Sequence, residues 1–135
     1  MRSPRRAIQV ALAFYSGAPM PQPAKPRKNS RPEAACLVEV IKTLRGHPAV
    51  AWCERQNSGA FRDGKRFVRF GWPGCSDVLG QLRDGRFLAV EVKAPGGRAS
   101  DAQRLFLDRV RAAGGIAFIA TNATDVIRNL AQEAP

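Results

Sequence analysis

An α/β fold is what this sequence predicts: a mixed central sheet with helices against it, in the core order α-β-β-β-α-β, followed by a C-terminal helix. Three observations carry the prediction. Two helices are announced by capping signals, Ser30-Arg31-Pro32-Glu33 and Ser100-Asp101-Ala102-Gln103. Short apolar runs broken by Gly, Pro and Asp lie between them and read as strands. After the second helix comes Ile116 to Ala120, a wholly apolar strand of the kind that a sheet covers on both faces. At 135 residues there is room for one such domain.

Each element has a local cause. Ser30 reads as the N-cap of the first helix, with Pro32 in its first turn and Glu33 reaching back. The helix places Leu37, Val40, Ile41 and Leu44 on one face, with Glu39 at the border of that stripe, and Gly46-His47-Pro48 stops it. Ala49 to Gln56 reads as a strand and Asn57-Ser58-Gly59 as a turn. Arg66 to Phe70 is a second strand, with Phe67 and Arg69 on one face and Val68 and Phe70 at the alternating positions. Gly71-Trp72-Pro73-Gly74 breaks it. Val78 to Leu82 and Phe87 to Lys93 then form a hairpin around Asp84-Gly85. Pro95-Gly96-Gly97 is a loop, and the helix capped by Ser100 offers Leu105, Phe106, Val110 and Ala113 for burial before Gly114-Gly115 ends it. The final helix spans Thr124 to Gln132.

Charge divides the chain. Its 22 Lys and Arg against 11 Asp and Glu give +11, which favours a polyanionic partner, nucleic acid above all. Residues 1–32 hold seven of the cations, six of the ten prolines and no acid, so the remainder is only +4. We therefore expect residues 1–31 to be a basic, Pro-rich, disordered arm and residues 32–135 to be the folded domain. Arg2, Arg5 and Arg6 precede an apolar run from Ala7 to Phe14 that imitates a short signal peptide. Gln9 interrupts the run, it is too short to span a membrane, and three cysteines make an odd set with no framework spacing. The expected location is the cytoplasm, with no membrane partner. Met20 offers an alternative start.

The chemistry concentrates where an apolar strand, Phe87-Leu88-Ala89-Val90, closes on Glu91-Val92-Lys93. Glu91 and Lys93 share one strand face. Alone, that is an ordinary surface ion pair worth about 0.2–1 kcal/mol. Asp77, fourteen residues earlier on the neighbouring strand, changes its meaning. Two acids and a lysine can bind a divalent metal and hold a water beside it, which is the chemistry of phosphodiester hydrolysis. Register decides whether they meet. A two-residue turn at Asp84-Gly85 would set Asp77 opposite Val92, on the wrong face. A three-residue loop Arg83-Asp84-Gly85, with Gly85 left-handed, pairs Leu82 with Arg86 and sets Asp77 opposite Glu91. The bulged loop is the expected one. Cys36, Cys53, Cys75 and His47 lack the close pairs of a zinc site; Cys36, near the buried side of its helix, reads as a buried small thiol, and His47 stands at the helix stop.

These residues resemble the VRR-NUC (virus-type replication-repair nuclease) family of the PD-(D/E)xK nuclease superfamily. The resemblance spans roughly Glu33 to Leu130. It rests on Glu39 in the first helix, Gly74-x-Ser76-Asp77, Asp84-Gly85-Arg86-Phe87, Glu91-Val92-Lys93 and Ser100-x-x-Gln103, the last leading into Arg104-Leu105-Phe106. Ser76 stands where the superfamily name has a proline. The resemblance implies a restriction-endonuclease-like core, Mg²⁺ or Mn²⁺ as cofactor, and metal-dependent endonucleolytic cleavage of DNA. Branched or Holliday-junction-like substrates and a homodimer, in a bacterial or phage-infected cell, go with it. By the same resemblance Asp77, Glu91 and the Val92 carbonyl are metal ligands, and Glu39 reaches the metal from its helix. Lys93 positions or activates the water, and Gln103 holds water or phosphate beside it. Arg55, Asn57 and Arg69 are candidate phosphate contacts. The competing reading is a non-catalytic nucleic-acid-binding module that keeps the fold.

Removal of residues 1–31 is expected to leave a folded, active domain. Its DNA affinity, followed by fluorescence anisotropy against salt concentration, is expected to be lower and less salt-sensitive, because seven cations leave with the arm. A truncated chain that fails to fold would make the arm structural.

Overall fold

The computed structural model describes residues 32–131. The proposed arm, the Ser30 cap and the end of the last helix at Gln132 lie outside the described residues. The elements are α1 (Glu33–Gly46), β1 (Val50–Arg55), β2 (Gly59–Asp63), β3 (Arg66–Phe70), β4 (Val78–Leu82), β5 (Phe87–Val92), α2 (Asp101–Ala112), β6 (Ile116–Ala120) and α3 (Ala123–Ala131).

Four strands form a mixed sheet in the order β1-β4-β5-β6. β4 runs antiparallel to both β1 and β5, while β5 and β6 are parallel. Parallel neighbours need a crossover, and α2 supplies it. Side chains alternate along β5, and this splits the core in two. Leu88, Val90 and Val92 pack with Val40 and Leu44 of α1 and with Val126 and Leu130 of α3. Ala89 faces the other way and packs with Phe106, Leu107 and Val110 of α2. The molecule is therefore mixed α/β with a helical layer on each face of a mixed sheet.

The hairpin register is the bulged one. Val78 stands opposite Val90, Leu79 opposite Ala89, Gly80 opposite Leu88 and Gln81 opposite Phe87. The Leu82 N–H bonds the Arg86 carbonyl at 2.9 Å, and the Gly85 N–H bonds the Leu82 carbonyl at 2.9 Å. Gly85 has φ 94°, a conformation that costs glycine nothing sterically. Carried one step further, this ladder aligns Asp77 with Glu91.

Several expectations need correction. Five strands, not three, separate α1 from α2, so the element order is α-β-β-β-β-β-α-β-α. The segment after Asn57 is not only a turn: Gly59–Asp63 forms a strand that pairs with β3 and no other strand. α1 takes Pro32 as its N-cap without a side-chain cap bond, because the Pro32 carbonyl receives the Ala35 and Cys36 N–H groups. α2 buries Ala102, Phe106, Leu107 and Val110, while Leu105 is half-buried and Ala113 is exposed beyond the helix end. β6 is an edge strand, so Ile119 is 39% exposed despite the wholly apolar sequence around it.

Gly80 is where β1 crosses β4 most tightly. A methyl group there would press on the Trp52 carbonyl and lie 2.8 Å from Cys53 Cβ. Gly80→Ala is expected to cost about 1–3 kcal/mol through overpacking. Urea unfolding measures it, and an unchanged midpoint would contradict the close approach.

Candidate active site

β5 is apolar through Val90 and fully buried from Leu88 onward, and so it carries the Glu91 carboxylate inside with no exposed surface. Glu91 shares the face of Ala89, toward α2. Its Oε1 accepts a bond from Lys93 Nζ at 3.0 Å and one from Gln103 Nε2 at 2.6 Å. Its Oε2 is buried with no hydrogen-bond partner. Asp77, immediately before β4, accepts the Val92 N–H on Oδ2 at 2.8 Å. That N–H lies beyond the last β4–β5 pair, Val78–Val90. In extended backbone the Val92 carbonyl faces the same edge as its N–H.

Gln103 arrives through its helix cap. Ser100 Oγ accepts the Gln103 N–H at 3.2 Å, and Gln103 Oε1 accepts the Ser100 N–H at 2.8 Å. This capping box fixes the side chain with its amide nitrogen turned toward Glu91. Capping and site contact, which sequence presents as alternatives, occur together.

Burial pushes Glu91 up to about 8, helped by the Asp77 carboxylate and opposed by Lys93. Burial pulls the Lys93 ammonium down, but the charges of Glu91, Glu33 and Asp77 outweigh it and leave its pKa raised. Burial raises the Cys75 thiol to about 11, with Glu91 and Asp77 adding to it, so it is no thiolate nucleophile.

The other predicted residues fall into two groups. Arg55 ends β1 opposite Val78, and the Gln56 N–H bonds the Asp77 carbonyl at 2.7 Å, so Arg55 and Asn57 flank the acid pair on the exposed side. Arg69 lies on β3, in the two-stranded ribbon rather than the four-stranded sheet, with its guanidinium 5.3 Å from the Phe67 ring. Glu39 is half-buried on α1, which packs on the sheet face opposite Glu91. Among the described residues no group of three or more His, Cys, Asp or Glu stands in a metal-holding arrangement. Glu39 Oε2, like Glu91 Oε2, is a buried oxygen that accepts no hydrogen bond. The α1 acid whose charge reaches Lys93 is Glu33, which the sequence offers only as a capping residue. The three cysteines are buried free thiols, and His47 Nδ1 accepts the Ala49 N–H at 3.1 Å. A broad cleft of about 940 Å³, lined by Trp72, Phe87, Phe106 and Gly114 among others, lies at the opposite end of β5 and contains neither acid of the pair.

The donor set fits a hard divalent cation. It consists of carboxylate oxygens and a carbonyl, and one of those oxygens is buried and unpartnered. Such an oxygen is a defect in a metal-free protein and a ligand in a loaded one.

Glu91 makes metal-free stability fall with rising pH. Its folded pKa of about 8 exceeds the ordinary 4.5, so between those values the folded state binds more protons than the unfolded state. Stability from this group is complete below about 4.5 and is lost as pH rises through about 8. A cation replaces the proton, so Mn²⁺ is expected to raise the melting temperature more near pH 8 than near pH 5. Glu91→Gln is expected to flatten both responses in thermal scans. Equal Mn²⁺ shifts at the two pH values would contradict this account.

A family model, the VRR-NUC domain, matches residues 23–124, well over half of the chain. No curated protein and no solved structure matches. Among the described residues no helix is long and apolar enough to cross a membrane. On the strength of the domain match, the chain belongs to the VRR-NUC family and has the nuclease-type function of that domain.

Proposed function

We propose that the protein is a metal-dependent DNA endonuclease of the PD-(D/E)xK type, hydrolysing phosphodiester bonds at the Asp77–Glu91–Lys93 site. The observation that carries this is the Glu91 carboxylate, buried between Lys93 and Gln103 with one oxygen unpartnered and Asp77 beside it. Asp77, Glu91 and the Val92 carbonyl would hold Mg²⁺ or Mn²⁺, and Glu39, outside any three-acid group, would act through water. When bound, the metal lowers the pKa of a water and offsets charge on the phosphate.

The chain's own residues would do the rest. Lys93, bonded to Glu91, would orient or activate the attacking water and stabilise charge building on the phosphate. Gln103 has one amide hydrogen committed to Glu91 and its oxygen to Ser100, so it would position the carboxylate. Arg55 and Asn57 would hold the phosphate backbone next to Asp77. Branched or junction DNA would be the preferred substrate, and a homodimer would present two sites for paired incisions.

The test is incubation with linear, flap and four-way-junction DNA in Mg²⁺, Mn²⁺ or EDTA. Cleavage is expected with either metal and none with EDTA. Lys93→Ala is expected to lower the rate at least about a hundredfold while DNA binding persists. Cleavage in EDTA, or wild-type turnover by Lys93→Ala, would sink the mechanism.

A further inference from the structure

β2 and β3 form a ribbon that belongs to neither core cluster. Every residue of β2 is exposed, and on β3 only Val68 is half-buried. An isolated two-stranded ribbon is marginal in water, yet this one shows solvent Phe61 at 53%, Phe67 at 56% and Phe70 at 49%. Exposed rings of that density mark an interaction surface.

The pairing register sorts them. Phe61 lies opposite Val68 and diagonal to Phe70, and the two rings stand 6.4 Å apart on one face. Phe67 lies opposite Arg62 on the other face, with the Arg69 guanidinium 5.3 Å from its ring. Arg66 closes the turn opposite Asp63. Four cations against one acid, interleaved with three rings, suit a polyanion that carries flat apolar groups and repel a second copy of the same ribbon.

The ribbon is rooted at the acid pair. β1 leads into it from Arg55, which faces Val78, and the Gln56 N–H holds the Asp77 carbonyl at 2.7 Å. The strand leaving it reaches Asp77 within seven residues of Phe70. The base of the ribbon therefore lies at Asp77, and a strand gripped along it leads toward the acid pair.

We infer that the β2–β3 ribbon binds nucleic acid with unpaired bases, stacking them on Phe61, Phe67 and Phe70 while Arg62, Arg66 and Arg69 contact phosphates. The inference rests on the nucleic-acid reading above and narrows it: in a duplex the base faces are already stacked, whereas flaps, junctions and single strands expose them.

Binding is measured on the full chain in EDTA, so that cleavage plays no part. The probes are a single-stranded oligonucleotide carrying 2-aminopurine and the matching duplex. Phe61→Leu, Phe67→Leu and Phe70→Leu together keep apolarity and remove the rings. This variant is expected to weaken single-strand binding about tenfold or more, to spare the duplex by comparison, and to abolish the 2-aminopurine quenching. The triple Phe→Tyr variant is expected to keep both. Unchanged single-strand affinity in the Leu variant, or equal losses on both probes, would overturn the inference. So would a dimer, seen by sedimentation, that Leu preserves and Ser at the same positions dissolves, since the ribbon would then dock on itself. A chain that stacks bases but does not cut DNA with Mn²⁺ would defeat the proposed activity and support the ribbon. One that cuts but binds both probes alike would do the opposite.

Discussion

A carboxylate with no exposed surface costs several kcal/mol to keep charged unless its oxygens are occupied, and Glu91 has only one oxygen occupied. The rest of the site follows from that imbalance. Lys93 and Gln103 both converge on Oε1, and Asp77 crowds the pair with a second negative group. In the absence of a cation the cheapest remedy is a proton on Glu91, which is the direction its pKa takes. With a cation, the same crowding becomes a ligand set. The fold thus stores at one strand end an electrostatic tension that a divalent ion would relieve under the proposed function.

Holding that tension requires a rigid register. Asp77 and Glu91 share a face only because the loop at Gly85 has three residues, and one residue fewer would turn Asp77 to the side occupied by α1 and α3. The Asp77 carboxylate then doubles as backbone partner for Val92, so the strand end and the acid position each other. Gln103 repeats this economy on α2, where its cap bonds fix the helix start and aim its amide at Glu91. The acid pair is built by backbone devices, and these respond little to substitutions on the exposed surface.

Those devices were legible in the sequence because each is local. The alternation of β5, the Ser100 capping box and the Asp84-Gly85 turn all act within a few residues, and together they give the Asp77–Glu91 alignment by counting. What was not legible depends on packing between elements. Glu39 borders the apolar stripe of α1 as expected, but sequence does not say which sheet face α1 covers, and it covers the one opposite Glu91. Glu33 reads as a capping residue, and only the tertiary fold brings its charge to Lys93. β2 had a signal that went unused. Gly64-Lys65 between Phe61-Arg62-Asp63 and Arg66-Phe67 is a two-residue Gly-X hairpin loop, and the paired register from Asp63–Arg66 to Gly59–Phe70 follows from it.

The ribbon and the acid pair have opposite electrostatic characters, and their separation has a physical reason. Cations as numerous as Arg62, Lys65, Arg66 and Arg69 would, if placed among Asp77 and Glu91, neutralise the acids and weaken any metal site. Set on a ribbon outside the core, they can attract a phosphate backbone without altering the charge at Glu91, which among the described residues is bound by the Lys93 cation. Attraction over distance and chemistry at contact are thereby assigned to different parts of one short chain. The link between them is the backbone bond from Gln56 to Asp77, which ties the root of the ribbon to the acid it serves.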